Sequence, residues 1–263
     1  MNKGIKKVEF LASSQARLEI LEVLHQEDMV AEHNLRDRVD CSRTTVIRNL
    51  DLMIEEGWIK KSKKGYLITT CGEIILEQFI DLTQAAETTS QLQPFLKWIP
   101  RDEITIEITE LNDAELTVPE PGNPLAVVDR HVQQLKVAED VRFALPFVGL
   151  HAYEVGHQRV LEGKMESELI VSSKVAEMLR SNQNYASLTK ELLDLDQFEM
   201  YVYDGDIPFC IGILDDTVQL ICDGDSMPQA MIETTSDTVR HWAEKKYSEF
   251  KKDTTKYSIK LLQ

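Results

Sequence analysis

Basic residues are in deficit in this sequence of 263 residues: 29 Lys and Arg stand against 45 Asp and Glu, a formal net charge of -16. Spread evenly, that charge would argue against a nucleic-acid partner, because binding to phosphates is driven by Lys and Arg displacing counterions. Cysteines are few and scattered. Cys41, Cys71, Cys210 and Cys222 form no C-x-x-C pair and no Cys/His cluster at zinc-ligand spacing, which argues against structural zinc. No run reaches the roughly 18 apolar residues of a membrane span, and the N-terminal "MNKGIKKVEFLASSQ" lacks the apolar core of a signal peptide. Internal repeats and low-complexity tracts are also missing. A reduced, cytoplasmic protein with no cofactor and no membrane partner is expected.

What is present is a 43% hydrophobic content, enough for one large core or two ordinary ones. The charge is not even. Residues 1–69 hold 12 Lys and Arg against 11 Asp and Glu, net +1, which leaves 17 against 34 in the remaining 194 residues, net -17. An acidic body with a neutral-to-basic head can hold DNA, since the local field at the contact face attracts phosphates.

In the head, "SSQARLEILEVLHQ" predicts an amphipathic helix capped at Ser13 or Ser14, with Leu18, Leu21 and Val23 or Leu24 inward. "VAEHNLRDRVD" predicts a second, on Val30 or Ala31, Leu35 and Val39. Ser42 caps a third, running to about Glu56 and ended by Gly57. At about 100° per residue, Val46, Leu50, Met53 and Ile54 fall in one arc of that helix, and Thr44, Thr45, Arg48, Asp51 and Glu55 face away. "WIKKS" and "GYLIT" then predict two short strands about the turn at Lys63, Lys64 and Gly65. Three helices and a basic hairpin form a winged helix-turn-helix.

That layout has a reading in chemistry. A helix with small polar residues and an arginine on its outer face fits the major groove, where Arg48 can chelate guanine and Thr44 and Thr45 can touch a thymine methyl or a phosphate. Arg43 suits a phosphate, as does the helix N-terminus capped by Ser42. Lys60, Lys61, Lys63 and Lys64 would hold the neighbouring backbone or the minor groove. The bland alternative is a solvated helix with a charged hairpin.

Residues 70–92 predict a long helix with Ile74 or Ile75, Phe79 and Leu82 as an apolar stripe that needs a partner, in a second domain or another subunit. Beyond Pro94 and Pro100 the pattern changes. "ITIEIT" alternates Ile104, Ile106 and Ile108 as a half-buried strand should. Asn123 and Pro124 open a helix with Leu125, Val128, Val132 and Leu135 inward. Next come a strand in "VRFALPFV", a helix in "LHAYEVGHQRVLEG", a strand in "SELIVS" and helices across 173–194. Residues 198–225 read as three strands joined at Asp204/Gly205 and Asp215/Asp216, and a helix over about 236–252 closes the series. Alternating strands and helices predict an α/β domain. The expected domains are 1–69, a winged helix-turn-helix; 70–97, a linking or dimerising helix; and 98–263, an α/β domain.

"ARLEILEVL" with "LRDRVDCSRTTVIRNLDLMIEEGWI" resembles the winged-helix head of euryarchaeal transcription regulators. "LPFV", "LEGKMESELIVSSKVAEML", "MYVYDGDIPFCIGILDD" and "RHWAEKKYSEFKK" resemble the second domain of a methanogenesis-regulator-like, TrmB-like group that includes haloarchaeal members. The DGDIPF, LDD and W-x-E-x-x-Y series is the more specific part. The resemblance implies a DNA-binding regulator, usually a homodimer, whose second domain is a phospholipase-D-like α/β fold that senses a small molecule or dimerises.

Phospholipase-D chemistry needs His-x-Lys-x4-Asp. The six histidines, His25, His33, His131, His151, His157 and His241, are followed two positions later by Glu27, Leu35, Gln133, Tyr153, Arg159 and Ala243, so the motif is absent and no enzyme is expected. Asp204/Asp206, Asp215/Asp216 and Asp223/Asp225 suit hairpin turns better than a metal or a carboxylate pair. In "HAYEVGH", His151, Tyr153 and His157 are the candidates for an effector site at the end of the preceding strand. The expected function is promoter-specific transcription regulation. The alternative is an effector-free architectural or protein-interaction module that binds DNA.

Overall fold

Apolar spacing sets the helices of the first part of the chain. In the computed structural model, which describes residues 2–224 and 227–258, α1 (Lys3–Ala12) precedes α2 (Gln15–Gln26), α3 (Glu32–Arg38) and α4 (Arg43–Glu55). The first of these is not among the expected helices. Its Ile5 and Val8 are exposed and only Leu11 is buried, so its sequence carries little inward pattern. The α2 helix buries Ala16, Ile20, Leu21 and Leu24, and Leu18 stays half-buried. Its N-cap, Ser14, makes no side-chain cap bond.

Val46, Leu50 and Met53 of α4 are fully buried, each contributing about 1.5–3 kcal/mol by leaving water. Gly57, at φ +74, takes the left-handed conformation that ends the helix. An antiparallel ribbon follows, β1 (Ile59–Lys61) paired with β2 (Tyr66–Ile68) in the register Ile59 to Ile68 and Lys61 to Tyr66. Tyr66 also exchanges backbone hydrogen bonds with Val30. A Cβ on Gly65 would stand 2.4 Å from the Val30 carbonyl oxygen, so only glycine lets the turn close there.

The chain divides into two compact units, 1–86 and 87–263, and the division falls inside α5 (Thr70–Gln91). Its expected stripe splits: Ile75 and Phe79 pack on the core of the N-terminal unit, whereas Ile74 and Leu82 are exposed.

The C-terminal unit begins with the end of α5, followed by α6 (Gln93–Leu96). "ITIEIT" is not a strand. It follows a 3-10 turn at Arg101–Glu103 and runs into a second at Ile108–Leu111, with Ile104 buried and Ile106 and Ile108 packed against the same core. Alternation buries these isoleucines as expected, but no strand pairs with them. Then follow β3 (Glu115–Thr117), α7 (Ala126–Leu135), β4 (Asp140–Leu145), α8 (Leu150–Leu161), β5 (Glu166–Ser172), α9 (Ser173–Ser181), α10 (Gln183–Leu193), β6 (Phe198–Tyr203), β7 (Cys210–Leu214), β8 (Thr217–Gly224), β9 (Met227–Thr234), α11 (Asp237–Lys252) and β10 (Thr254–Lys256). The α7 helix starts later than expected. Asn123 Oδ1 accepts from the Leu125 N–H in the turn before it, Leu125 is exposed, and Val127 rather than Val128 is buried.

One mixed sheet runs β10-β6-β5-β4-β7-β8-β9-β3, parallel across β6, β5 and β4 and antiparallel elsewhere. Strands β6 and β7 are therefore not a hairpin: the chain leaves β6 at Asp204 and re-enters the sheet beyond β4. Successive residues face opposite sides, so Phe143 and Leu169 join one apolar cluster with α7 to α10 while Ala144 and Ile170 join another with α6 and α11. The unit is thus a mixed sheet between helical layers.

Candidate nucleic-acid interface and ligand cavity

On α4 the cap forms as its residue types require. Ser42 Oγ accepts from the Thr45 N–H at 3.2 Å and lies 2.9 Å from Thr45 Oγ1, so Thr45 is half-buried in its own helix start. Arg43, Thr44 and Arg48 are exposed, as are Lys60, Lys61, Lys63 and Lys64 on the ribbon. The Lys61 ammonium lies over the Tyr66 ring at 5.4 Å from its centre. Among the described residues, Arg43, Arg48 and these four lysines make no ion pair, whereas Lys7 pairs with Glu56 and Arg38 with Glu27. Unpaired cations gathered about a capped, exposed helix leave an attractive field for an anion.

Arg17 of α2 is a basic residue that sequence reasoning missed. Its Nε donates to Asn49 Oδ1 at 3.2 Å, its Nη1 donates to the Phe10 carbonyl, and its guanidinium lies 3.8 Å from the centre of the Phe10 ring. Burial first, and then the neighbouring Arg48 charge, hold its pKa below the usual value. Arg17 therefore ties α1, α2 and α4 together behind Arg48. The available signal was an arginine beside a helix's buried face, facing a polar position, Asn49, inside the arc of α4.

In the C-terminal unit the acidic pairs do not converge. Asp215, at φ 48, caps the β7–β8 turn and accepts from the backbone N–H groups of Glu139 and Asp140. Asp216 pairs with Arg240, and Asp204 accepts from Ser173 Oγ at 3.1 Å. Asp225 lies outside the described residues. Among those residues, no three His, Cys, Asp or Glu side chains are grouped to hold a metal ion. Burial pushes the Cys210 thiol up, and the Cys222 thiol up to about 12, so both are protonated packing groups.

The same unit holds an apolar cavity of about 100 Å³, partly open to the surface, between the α7–α8 layer and the sheet, with Val127, Phe143, Leu145, Val148, Met165 and Leu169 in its wall. Tyr153 and His157 line it and His151, exposed, does not. The hydrogen of Thr189 Oγ1 goes to the Tyr185 carbonyl, so Tyr153 O–H donates to Thr189 Oγ1 at 2.8 Å. Burial pushes the Tyr153 phenol up to about 12. His157 Nε2 lies 2.9 Å from Glu191 Oε2.

His131 of α7 also lines the cavity, its ring edge-on to Phe143 and its Nδ1 2.7 Å from Gln219 Oε1. Gln219 Nε2 donates to Glu233 Oε2 at 2.6 Å, and Glu233 Oε1 takes Arg130 and Gln134. Burial outweighs those favourable partners and lowers the His131 pKa. The unfolded state therefore takes up the proton first, so stability present above about pH 6.5 is lost as the pH falls below it. In urea unfolding between pH 8 and 5, wild type should lose up to about 1.4 kcal/mol per pH unit relative to His131→Gln. Equal slopes in the two proteins would show that His131 does not titrate on unfolding.

Two protein families match the chain, one in each part. Residues 5–91 match the HVO_A0261 N-terminal domain. Residues 124–253 match the middle domain of the methanogenesis regulatory protein FilR1. The C-terminal unit is similar to FilR1. That FilR1-like segment runs from just before α7 to the end of α11 and includes every residue of the cavity wall named above. No curated protein matches the chain. Among solved structures, TrmBL2, an archaeal chromatin protein with a novel mode of DNA binding, is 11% identical and covers 94% of this chain and 98% of its own, with a TM-score of 0.41. NucT from Helicobacter pylori is 13% identical over 55% of this chain and 99% of its own, at 0.45. A phospholipase D family member, Nuc from Salmonella typhimurium, is 8% identical over 56% and 99%, at 0.43.

Proposed function

We propose that this protein is a transcription regulator of the archaeal TrmB/FilR1 kind, with a haloarchaeal-type winged helix-turn-helix that binds double-stranded DNA. The observation that carries the reading is the set of unpaired cations on α4 and the β1–β2 ribbon, in a chain that elsewhere is strongly acidic. Arg48 and Thr44 would read base edges, Arg43 and the ribbon lysines would hold phosphates, and Thr45 would serve mainly as the partner of the Ser42 cap. The matches to the HVO_A0261 N-terminal domain and to the middle domain of a regulatory protein support the same assignment.

Homodimerisation belongs to this reading. Exposed Ile74 and Leu82, two turns apart on α5, supply an apolar face for a second copy. The C-terminal unit, whose sequence resembles the second domain of TrmB-like regulators, would be a non-catalytic sensor, since no histidine stands in His-x-Lys. The cavity favours an effector-binding regulator over an effector-free architectural module. Work on DNA would place the protein in the cytoplasm; among the described residues no helix is long and apolar enough to cross a membrane.

Fluorescence anisotropy tests the assignment. Wild type should prefer DNA from its own promoter over a scrambled duplex, and Arg48→Ala should lose about 1–3 kcal/mol of that preference with a similar salt slope. Binding to neither duplex at any salt would sink the DNA-binding reading.

A further inference from the structure

The buried polar chain beside the cavity fixes which way hydrogen bonds run. A carboxylate only accepts, so Gln219 must turn its amide N–H toward Glu233 and its carbonyl oxygen toward α7. That oxygen in turn requires a proton on His131 Nδ1. A neutral imidazole protonated at Nδ1 carries its lone pair on Nε2. No partner for Nε2 is found among the described residues, and the ring belongs to the cavity wall.

The other polar wall groups do not oppose this role. The Tyr153 hydroxyl hydrogen is spent on Thr189, which leaves its oxygen as a second, weaker acceptor, and His157 Nε2 is engaged with Glu191. The Ser167 hydroxyl can donate or accept, so it does not select. The remaining wall is aliphatic and aromatic apart from the protonated Cys210 thiol, a weak partner, and admits no unpaired charge. An apolar cavity of roughly 150 Å³ accepts benzene, so this one, somewhat smaller and bounded by the adaptable Met165, holds one ring or a short chain.

We propose that the cavity binds a small neutral, mainly apolar molecule with one hydroxyl or N–H donor, which gives its hydrogen to His131 Nε2. The proposal rests on the effector reading and gives it a chemical class, that of phenols and small alcohols. Arg130, Glu233 and Gln219 are positioning residues: they never touch the ligand and act only by setting the tautomer of His131.

NMR titration of the full-length protein with phenol, toluene and benzoate tests this. Phenol should bind on the order of tenfold more tightly than toluene, the worth of one hydrogen bond, and benzoate more weakly than either. His131→Phe should bring phenol and toluene to the same affinity. Gly156→Leu should abolish binding of both, because Gly156 lines the cavity and a Cβ there meets only Met165 Cε, at 3.8 Å, which leaves the rest of the side chain to fill the space. Equal affinities in wild type would overturn recognition of a donor while leaving an effector cavity in place. Benzoate binding more tightly than phenol would overturn the neutral tautomer. Binding of none of the three would overturn both the proposal and the effector reading. Should His131→Phe fail to fold, the wild-type ratio of phenol to toluene decides alone.

Discussion

The combined variant Arg43→Ala, Arg48→Ala, Lys63→Ala, Lys64→Ala is expected to bind a promoter duplex on the order of 10²–10³-fold more weakly than wild type at about 0.1 M salt. Two different losses add. Removing three phosphate contacts should lower the slope of log affinity against log salt by up to about 2.7, since each releases roughly 0.9 counterion. Removing Arg48 should cost base preference and leave that slope alone. The four side chains are exposed and unpaired, so their truncation takes nothing from the core, and circular dichroism should stay at wild type. Arg38→Ala is the control: its charge is already answered by Glu27, and DNA affinity should hardly change. A fourfold variant that binds as wild type does would mean that the contact face lies elsewhere. An unchanged salt slope with a lower affinity would mean that Arg43, Lys63 and Lys64 touch no phosphate.

The head of the chain was largely legible because its determinants are local. The Ser42 cap, the spacing of Val46, Leu50 and Met53, and the Gly57 stop lie within sixteen residues, and each acts through its immediate neighbours. Arg17 was not legible, because its meaning depends on α1 and α4 meeting α2 at one point. The same limit governs the C-terminal unit. Runs such as "RFALPFV" and "SELIVS" show a strand, but the order of strands is a non-local property, and the chain passing from β6 to β7 across the sheet has no counterpart in the spacing at Asp204 and Gly205. "ITIEIT" shows the converse: alternation reports which side chains go inward, not whether the backbone finds a partner.

In the cavity, Tyr153 and His157 were candidates because they stand four apart on one helix. His131 lies among Val128, Val132 and Leu135, whose helical spacing gives it no signal of its own. Its importance comes from Gln219 and Glu233, two polar residues on inward-facing positions of β8 and β9. A polar residue breaking an otherwise apolar strand is a usable signal, because burying it unpartnered costs more than burying it paired. Gln219 in "TVQLIC" and Glu233 in "MIET" both break such runs.

Glu233→Ala should therefore destabilise the C-terminal unit by about 3 kcal/mol, the low end of the cost of breaking a buried ion pair. The discount comes from Arg130, whose side chain is 36% exposed and can turn to water, against 8% for Glu233. Gln219 cannot turn away, being fully buried, and its amide N–H would lose the acceptor at 2.6 Å. Urea unfolding followed by tryptophan fluorescence measures the loss, and a double-mutant cycle with Arg130→Ala should return a coupling above about 1 kcal/mol. A wild-type midpoint for Glu233→Ala would show that the network contributes nothing to the fold. The same substitution releases Gln219 from its fixed orientation. Once free to flip, its amide can donate to His131 Nδ1, which moves the imidazole proton to Nε2 and turns the cavity's acceptor into a donor. Nitrogen-15 chemical shifts of the His131 ring should then exchange their protonated and unprotonated positions between wild type and Glu233→Ala, and the preference for phenol over toluene should fall with them.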